Sequence, residues 1–260
     1  MFTENPFSGL ADIASPALMQ GFVLLMIAFV LGGTLYDLWH KGSWSYFFAN
    51  RLAVRKHRTR QVSAGEAMAI AARTAGEALV SGEFCSLRRR LAHLLGMYGF
   101  LIYVITTLIL VFGYPTPDSE APAAVTMLWH IGALLICIGG YWFWFFVRVD
   151  VVAEGHSPFR VMRADLFILS LLANATLALI WSGLQSVESA WSKVFLGLYL
   201  LSALVLFGSV PWSKFSHMFF KPAAAFQKHV EEADGSRASL PAPADKPAIL
   251  GHARKRASNY

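Results

Sequence analysis

The sequence predicts an all-α integral membrane bundle of five transmembrane helices, with the N-terminus outside and the C-terminus in the cytoplasm. Composition is the first reason: 56% of the 260 residues are hydrophobic and 15% are charged, whereas soluble domains are about half apolar and a quarter charged. The apolar residues also gather in five blocks, each close to the roughly 20 residues that a helix needs to cross the hydrocarbon. Basic residues, finally, concentrate between alternate blocks.

The five blocks are the predicted transmembrane helices, and the first four contain no Lys, Arg or Glu. They cover about residues 17–36, 91–113, 125–147, 166–183 and 191–210. We interpret the first block as a retained helix, because it is long for a cleaved signal peptide and the first lysine, Lys41, follows it. Residues 1–222 thus form the predicted membrane domain, with a cytoplasmic loop at 37–90 and a tail at 223–260.

The basic residues set the predicted orientation. Ten Lys and Arg residues lie between positions 41 and 90, three between 148 and 163, and eight from 214 onward, which leaves only Lys193 on the opposite side. The positive-inside rule therefore places these three segments in the cytoplasm. The net charge of +6 is an orientation signal and does not indicate nucleic acid as a partner, since no basic patch is interleaved with stacking aromatic residues.

The two cytoplasmic segments differ in character. The loop contains an alanine-rich, weakly amphipathic stretch, "GEAMAIAARTAGEALVSGEF", which is suited to lie along the membrane interface or against a partner. The tail offers one candidate helix, "AAAFQKHVEEA", and then a stretch rich in Pro, Ala and Ser. We therefore expect the tail to be largely disordered.

The cysteines exclude a cluster of the chain's own. There are two, Cys85 in the predicted cytoplasmic loop and Cys137 in the middle of the third predicted helix, and no CxxC spacing exists for zinc or an iron–sulfur cluster. Any iron–sulfur cluster must belong to a partner. The sequence also lacks a P-loop, a dinucleotide fingerprint and a nucleophile elbow.

Two histidines predict a haem site, because ionisable residues at membrane depth are rare and often functional. His93 opens the second predicted helix and His217 follows the fifth, and both of these ends face the cytoplasm. Two neutral imidazoles from separate helices at one depth suit the axial positions of a b-type haem. Gly96, one turn after His93, would let a flat macrocycle approach the backbone, although glycines also serve plain helix packing. The alternative for each histidine is a hydrogen bond to a headgroup or a carbonyl.

His130 opens the third predicted helix toward the outer face, so it cannot share a haem with the other two. A quinone hydrogen bond, a second haem and a satisfied interfacial histidine are all open for it. The aromatic residues of this helix are interpreted as interfacial belts; they are Trp129, Tyr141, Trp142 and Trp144. At the start of the fourth helix, Asp165 suits a helix N-terminus and has Arg163 as a neighbouring charge.

The segment "PWSKFSHMFFKP" resembles a signature of the respiratory nitrate reductase gamma-subunit superfamily, which includes the membrane cytochrome b of heterodisulfide reductase. The resemblance implies five helices and one cytoplasmic-side haem b, with His93 and His217 as its iron ligands. The superfamily's second, outer haem uses two further histidines, and this chain has Tyr103 and Tyr199 at those places. Tyrosine can ligate haem iron, but two tyrosines in apolar surroundings suggest that the outer haem is missing; these residues are then candidates for a quinone or second site.

Within that superfamily, "SGEFCSLRRRLAHLLGMYGF" is most similar to the membrane component of the quinone-interacting membrane oxidoreductase and to the membrane anchor of adenylylsulfate reductase. This resemblance implies a protein of the bacterial inner membrane that passes electrons between a cytoplasmic iron–sulfur oxidoreductase of sulfur metabolism and the quinone pool. The partner would bind the loop and the tail. The chain itself would catalyse nothing beyond quinone reduction or oxidation.

Two other functions compete with this expectation. A haem-free anchor would only tether a soluble redox enzyme, and the loss of the outer histidines shows how such a protein could arise. A small-solute transporter is the weaker alternative, because the sequence has no inverted repeat and no helix interrupted by Gly and Pro at mid-membrane.

Overall fold

The computed structural model describes residues 2–11, 13–82, 86–148, 161–213, 215 and 217–236. Within these ranges it contains α-helices, short 3₁₀ turns and one π-helical turn, and no strand, which confirms the all-α prediction for the described part of the chain. The helices are α1 (Pro16–His40), α2 (Ser43–His57), α3 (Ala64–Leu79), α4 (Leu87–Gly113), α5 (Ala123–Trp142), α6 (Leu166–Ser186), α7 (Ser192–Gly208) and α8 (His217–Asp234).

Four helices are long and apolar enough to cross a membrane. They are α1, α4, α6 and the continuous segment Ala123–Val147, in which a π-helical turn extends α5. The fifth predicted span, α7, is apolar but has 17 residues. At 1.5 Å per residue it measures about 25 Å, which is less than the roughly 30 Å of hydrocarbon. The chain therefore has the helices of a multi-pass membrane protein.

The chain divides into two compact units, one of residues 1–37 and 91–215 and the other of residues 38–90 and 216–260. The predicted boundary between residues 222 and 223 falls inside α8, a helix of the second unit. Within the first unit α7 packs along α6, and α6 also packs on α5. The residues beyond 236, which include most of the predicted disordered tail, lie outside the described part.

Helices α4 and α5 pack backbone against backbone at glycines. A Cβ atom on Gly99 would lie 2.9 Å from the carbonyl oxygen of Gly132, and one on Gly132 would lie 2.8 Å from the main-chain nitrogen of Tyr103. Toward the other end of α5, a Cβ on Gly139 would lie 2.7 Å from the nitrogen of Gly96. Small residues that let two backbones approach are the usual basis of tight helix pairs in membranes.

A buried ion pair joins the end of the third span to the start of α6. The Arg148 guanidinium donates from Nε to Asp165 Oδ1 at 3.0 Å and makes a second, close contact with Oδ2. It also lies 3.9 Å from the centre of the Trp144 ring, and the main-chain nitrogen of Met162 donates to the same carboxylate at 2.8 Å. The partner of Asp165 is thus Arg148, which is distant in sequence, and not the adjacent Arg163.

In the second unit, α3 packs on α8. Thr74 Oγ1 lies 3.0 Å from His229 Nδ1, and Arg60 Nε donates to the carbonyl oxygen of Ala233 at 2.6 Å. Arg60 also forms a bidentate pair with Glu66, and this hydrogen bonding lowers the pKa of the Glu66 carboxyl from its usual value. The loop stretch and the candidate tail helix singled out in the sequence therefore pack against each other within one unit.

Candidate functional site

The two tyrosines at the expected outer haem positions contact each other directly. Tyr103 on α4 donates a hydrogen bond from its hydroxyl to the hydroxyl of Tyr199 on α7, with 3.1 Å between the oxygens. Both side chains are buried. Two oxygens at hydrogen-bond distance leave no space for a metal ion between them.

Four further contacts fix this pair in place. Trp129 Nε1 donates to Thr107 Oγ1 at 2.9 Å, and Thr107 Oγ1 donates to the carbonyl oxygen of Tyr103 at 2.7 Å. On the other side, the Trp181 ring stacks on Tyr199 with the ring centres 5.4 Å apart and 12° between the planes. The Asn174 amide donates to the carbonyl oxygen of Tyr199 at 3.3 Å. The tyrosines therefore lie in a rigid, buried cluster built from α4, α5, α6 and α7.

His130 is fully buried and has both ring nitrogens hydrogen-bonded. Nδ1 lies 2.8 Å from the carbonyl oxygen of Thr126, and Nε2 lies 2.8 Å from Ser182 Oγ. The ring also packs edge-on against Trp129 at 4.9 Å. This is the geometry of a satisfied histidine in the protein interior.

The interpretation of Trp129 as part of an interfacial aromatic belt is wrong. Its side chain is 0% exposed, and its N–H is used inside the protein. The neighbouring belt residue Tyr141 is more exposed and donates or accepts a hydrogen bond with Thr176 at 2.9 Å. Trp129 therefore serves as a core residue between α4 and α6.

His93 lies in the second turn of α4, because that helix begins at Leu87, earlier than the apolar block predicted. The side chain is partly buried. A Cβ atom on Gly96, one turn later, would have no atom within 4 Å, whereas a Cβ on Gly99 would press on the α5 backbone. Of the two glycines on this stripe, one serves helix packing and the other leaves open space next to the turn that carries His93.

The structure does not test the predicted pairing of the two histidines. His217 is the first residue of α8, which belongs to the second unit, and its side chain lies outside the described part. Residue His93 belongs to the first unit. Among the described residues, no group of three or more His, Cys, Asp or Glu side chains could hold a metal ion.

Two residues of interest on α6, Trp181 and Gln185, belong to none of the motifs recognised in the sequence. Each has a buried polar atom without a hydrogen-bond partner among the described residues. The one sequence signal that could have identified them is their spacing of four, which places a hydrogen-bonding indole and an amide on one face at the end of a membrane helix.

Comparison with known proteins gives a distant likeness. The chain is similar to citrate utilization protein B of Escherichia coli, with 23% identity over 161 residues. The match covers 60% of this chain and 41% of that protein, so the chain spans less than half the length of the curated relative it matches. No protein-family model matches the chain. No solved structure matches it either.

Proposed function

We propose that this chain is the membrane anchor and electron-transfer subunit of an oxidoreductase, linking a cytoplasmic iron–sulfur enzyme to the quinone pool through one haem b. One observation carries the proposal. His93 lies partly buried on a membrane helix, and the position one turn later is a glycine whose missing side chain would meet nothing within 4 Å. A flat cofactor needs this combination of a ligand and an unobstructed backbone.

His93 and His217 would hold the iron as neutral imidazole ligands, and the haem, when bound, supplies reversible one-electron transfer. The chain's own contribution is positioning. Gly139 holds the α4 backbone at Gly96 close to α5, which fixes the turn that carries His93. The buried pair of Arg148 and Asp165 joins the third span to α6.

Five transmembrane helices with an external N-terminus complete the proposal. Helix α7 is short, but a 3₁₀ turn at Val210–Trp212 follows it closely and extends its reach. Its solvent-accessible side is apolar over four turns, as a lipid-facing surface should be; the residues are Val194, Leu198, Leu201 and Val205. Labelling of single cysteines from each side of the membrane tests this topology, and an internal N-terminus would contradict it.

The soluble partner is the second part of the proposal. The sequence resemblance points to adenylylsulfate reductase, whereas the name of the curated relative concerns citrate utilization. Both are compatible with an anchor that receives or delivers electrons. Affinity purification of the complex from native membranes decides between them, because the flavin or iron–sulfur protein that co-purifies fixes the reaction.

The alternative, a haem-free anchor, is favoured by the pair of Tyr103 and Tyr199. Their direct hydrogen bond occupies the places where the superfamily holds its outer haem. If the outer ligands have been replaced by a closed polar contact, the inner histidines could likewise be retained without a cofactor. Such a protein would still need its loop and its tail to hold the enzyme.

A reduced-minus-oxidised optical spectrum of the purified protein separates the two functions. We expect a b-type α band in the wild type and its loss in both His93→Ala and His217→Ala. The matched control is His57→Ala, an exposed histidine at the end of α2, which should keep the band. A wild type without the band would leave the haem-free anchor, and a band that survives both substitutions would refute the ligand assignment.

A further inference from the structure

A cavity of about 330 Å³ opens where the N-terminal segment meets the end of α6 and the start of α7. Its walls are apolar at Leu10, Ile13 and Leu196, and its polar lining includes Trp181 and Gln185. The whole cavity lies within the first unit. Its volume is at the lower end of the range for small-molecule sites, which suits a ligand with one substituted ring.

The Gln185 amide presents a fixed acceptor at this cavity. Its Nε2 donates to the carbonyl oxygen of Pro6 at 3.0 Å, and a carbonyl cannot donate to the amide oxygen, so the orientation of the amide is determined. The other atom, Oε1, is buried and has no donor among the described residues. Gly9 makes room for this arrangement, since a Cβ there would clash with Nε2.

Trp181 contributes a donor one helical turn before that acceptor. The side chain is 0% exposed and is held by the stacked Tyr199 and by Phe7, whose ring centre lies 5.6 Å away. Its Nε1 hydrogen has no acceptor within the described part of the chain. Buried polar atoms are nearly always paired, so an unpaired donor and an unpaired acceptor on one helix face point to a missing molecule.

Building on the proposed function, we propose that this cavity binds the head group of a quinone or quinol. The ring is flat and lipophilic, which matches the walls, and it carries oxygens that act as acceptors in the quinone and as donors in the quinol. Trp181 N–H donates to such an oxygen, and Gln185 Oε1 accepts from a quinol hydroxyl. A membrane-soluble ligand can reach this place because it lies at the ends of two apolar helices.

The residues expected from the sequence to contact quinone are less suited to that role. Both nitrogens of His130 are hydrogen-bonded within the protein. The hydroxyls of Tyr103 and Tyr199 bond each other. Trp181 and Gln185 are the described residues near this cluster whose buried polar atoms lack partners.

Equilibrium dialysis of decylubiquinone against the purified full chain in detergent tests the proposal. Trp181→Phe keeps a stacking ring and removes the donor, so we expect a Kd about fivefold higher, the usual effect of one lost hydrogen bond. Gly9→Ala displaces the Gln185 amide without touching the indole and should also weaken binding. The matched control is Trp212→Phe, an exposed indole outside the cavity, which should leave the Kd unchanged.

The outcomes separate this site from the haem. Absence of saturable binding to the wild type, or equal Kd values for the wild type, Trp181→Phe and Gly9→Ala, would overturn the proposal and mean that the cavity holds only water. Binding that weakens in both variants supports it, whether or not the protein shows a b-type band. A b-type band together with unchanged binding would leave the haem intact and refute this site alone.

Discussion

A single methyl group at position 139 tests the close packing of α4 on α5. In Gly139→Ala, the new Cβ would lie 2.7 Å from the main-chain nitrogen of Gly96 and 2.8 Å from the carbonyl oxygen of Ala92. Both atoms belong to a helix backbone and cannot rotate away as a side chain would. The two helices must therefore separate locally by several tenths of an ångström.

The size of the effect follows from two opposing contributions. Replacing Gly by Ala inside a helix favours folding by about 0.5–1 kcal/mol, because the unfolded chain loses conformational freedom. Overpacking of a tight interface costs about 1–3 kcal/mol. Because both contacts at position 139 are with backbone, we expect the cost to dominate, with a net loss of roughly 1–2 kcal/mol.

The matched control is Gly197→Ala on α7, where a Cβ would have no atom within 4 Å. Only the conformational contribution applies there, so this variant should gain about 0.5–1 kcal/mol. The same added methyl group thus shifts stability in opposite directions at the two positions. For a chain of this size, 1 kcal/mol corresponds to a Tm change of about 2–4 °C.

Thermal unfolding of the purified protein in one detergent measures both variants. The expected order of Tm, from highest to lowest, is Gly197→Ala, wild type, then Gly139→Ala. A Gly139→Ala variant that melts at or above the wild type, or equal destabilisation of both variants, would refute close backbone packing at this position.

Two further substitutions test the polar contacts of the first unit. Asp165→Ala leaves the Arg148 guanidinium buried without its partner and should lower the free energy of unfolding by about 3–5 kcal/mol, whereas Arg163→Ala, at an exposed position, should change it by less than about 0.5 kcal/mol; similar losses in the two variants would contradict the ion pair. Tyr103→Phe and Tyr199→Phe each break the hydroxyl contact and should cost about 0.5–1.5 kcal/mol, and the double variant should cost less than their sum. Strict additivity in thermal unfolding would show that the two hydroxyls do not interact.

Sequence patterns predicted the membrane helices well because apolar length is a local property. The four helices that qualify as spans coincide with four of the predicted blocks. Their ends were harder to place: α4 begins at Leu87, immediately before the basic triplet that the hydropathy pattern assigned to the loop. Arginines are good helix formers, so the helix continues through a segment that is too polar for the hydrocarbon.

The orientation of side chains around each helix could not be predicted from the same pattern. In a membrane helix both the lipid-facing and the protein-facing sides are apolar, so Trp129 looked like an interfacial residue although it is buried. For the same reason Gly96 and Gly99 looked equivalent, yet only Gly99 is pressed against a neighbouring backbone. The partner of a charge is equally non-local, since Asp165 pairs across 17 positions with Arg148.

The proposed electron-transfer function requires one haem b held between an imidazole of α4 and an imidazole of α8. A pyridine haemochrome assay on the purified wild type, calibrated against its protein concentration, counts the haem in each chain. We predict one haem b per chain, since the outer ligand positions are two tyrosines bonded to each other. A value of zero would contradict the electron-transfer function, and a value of two would contradict the closed outer site.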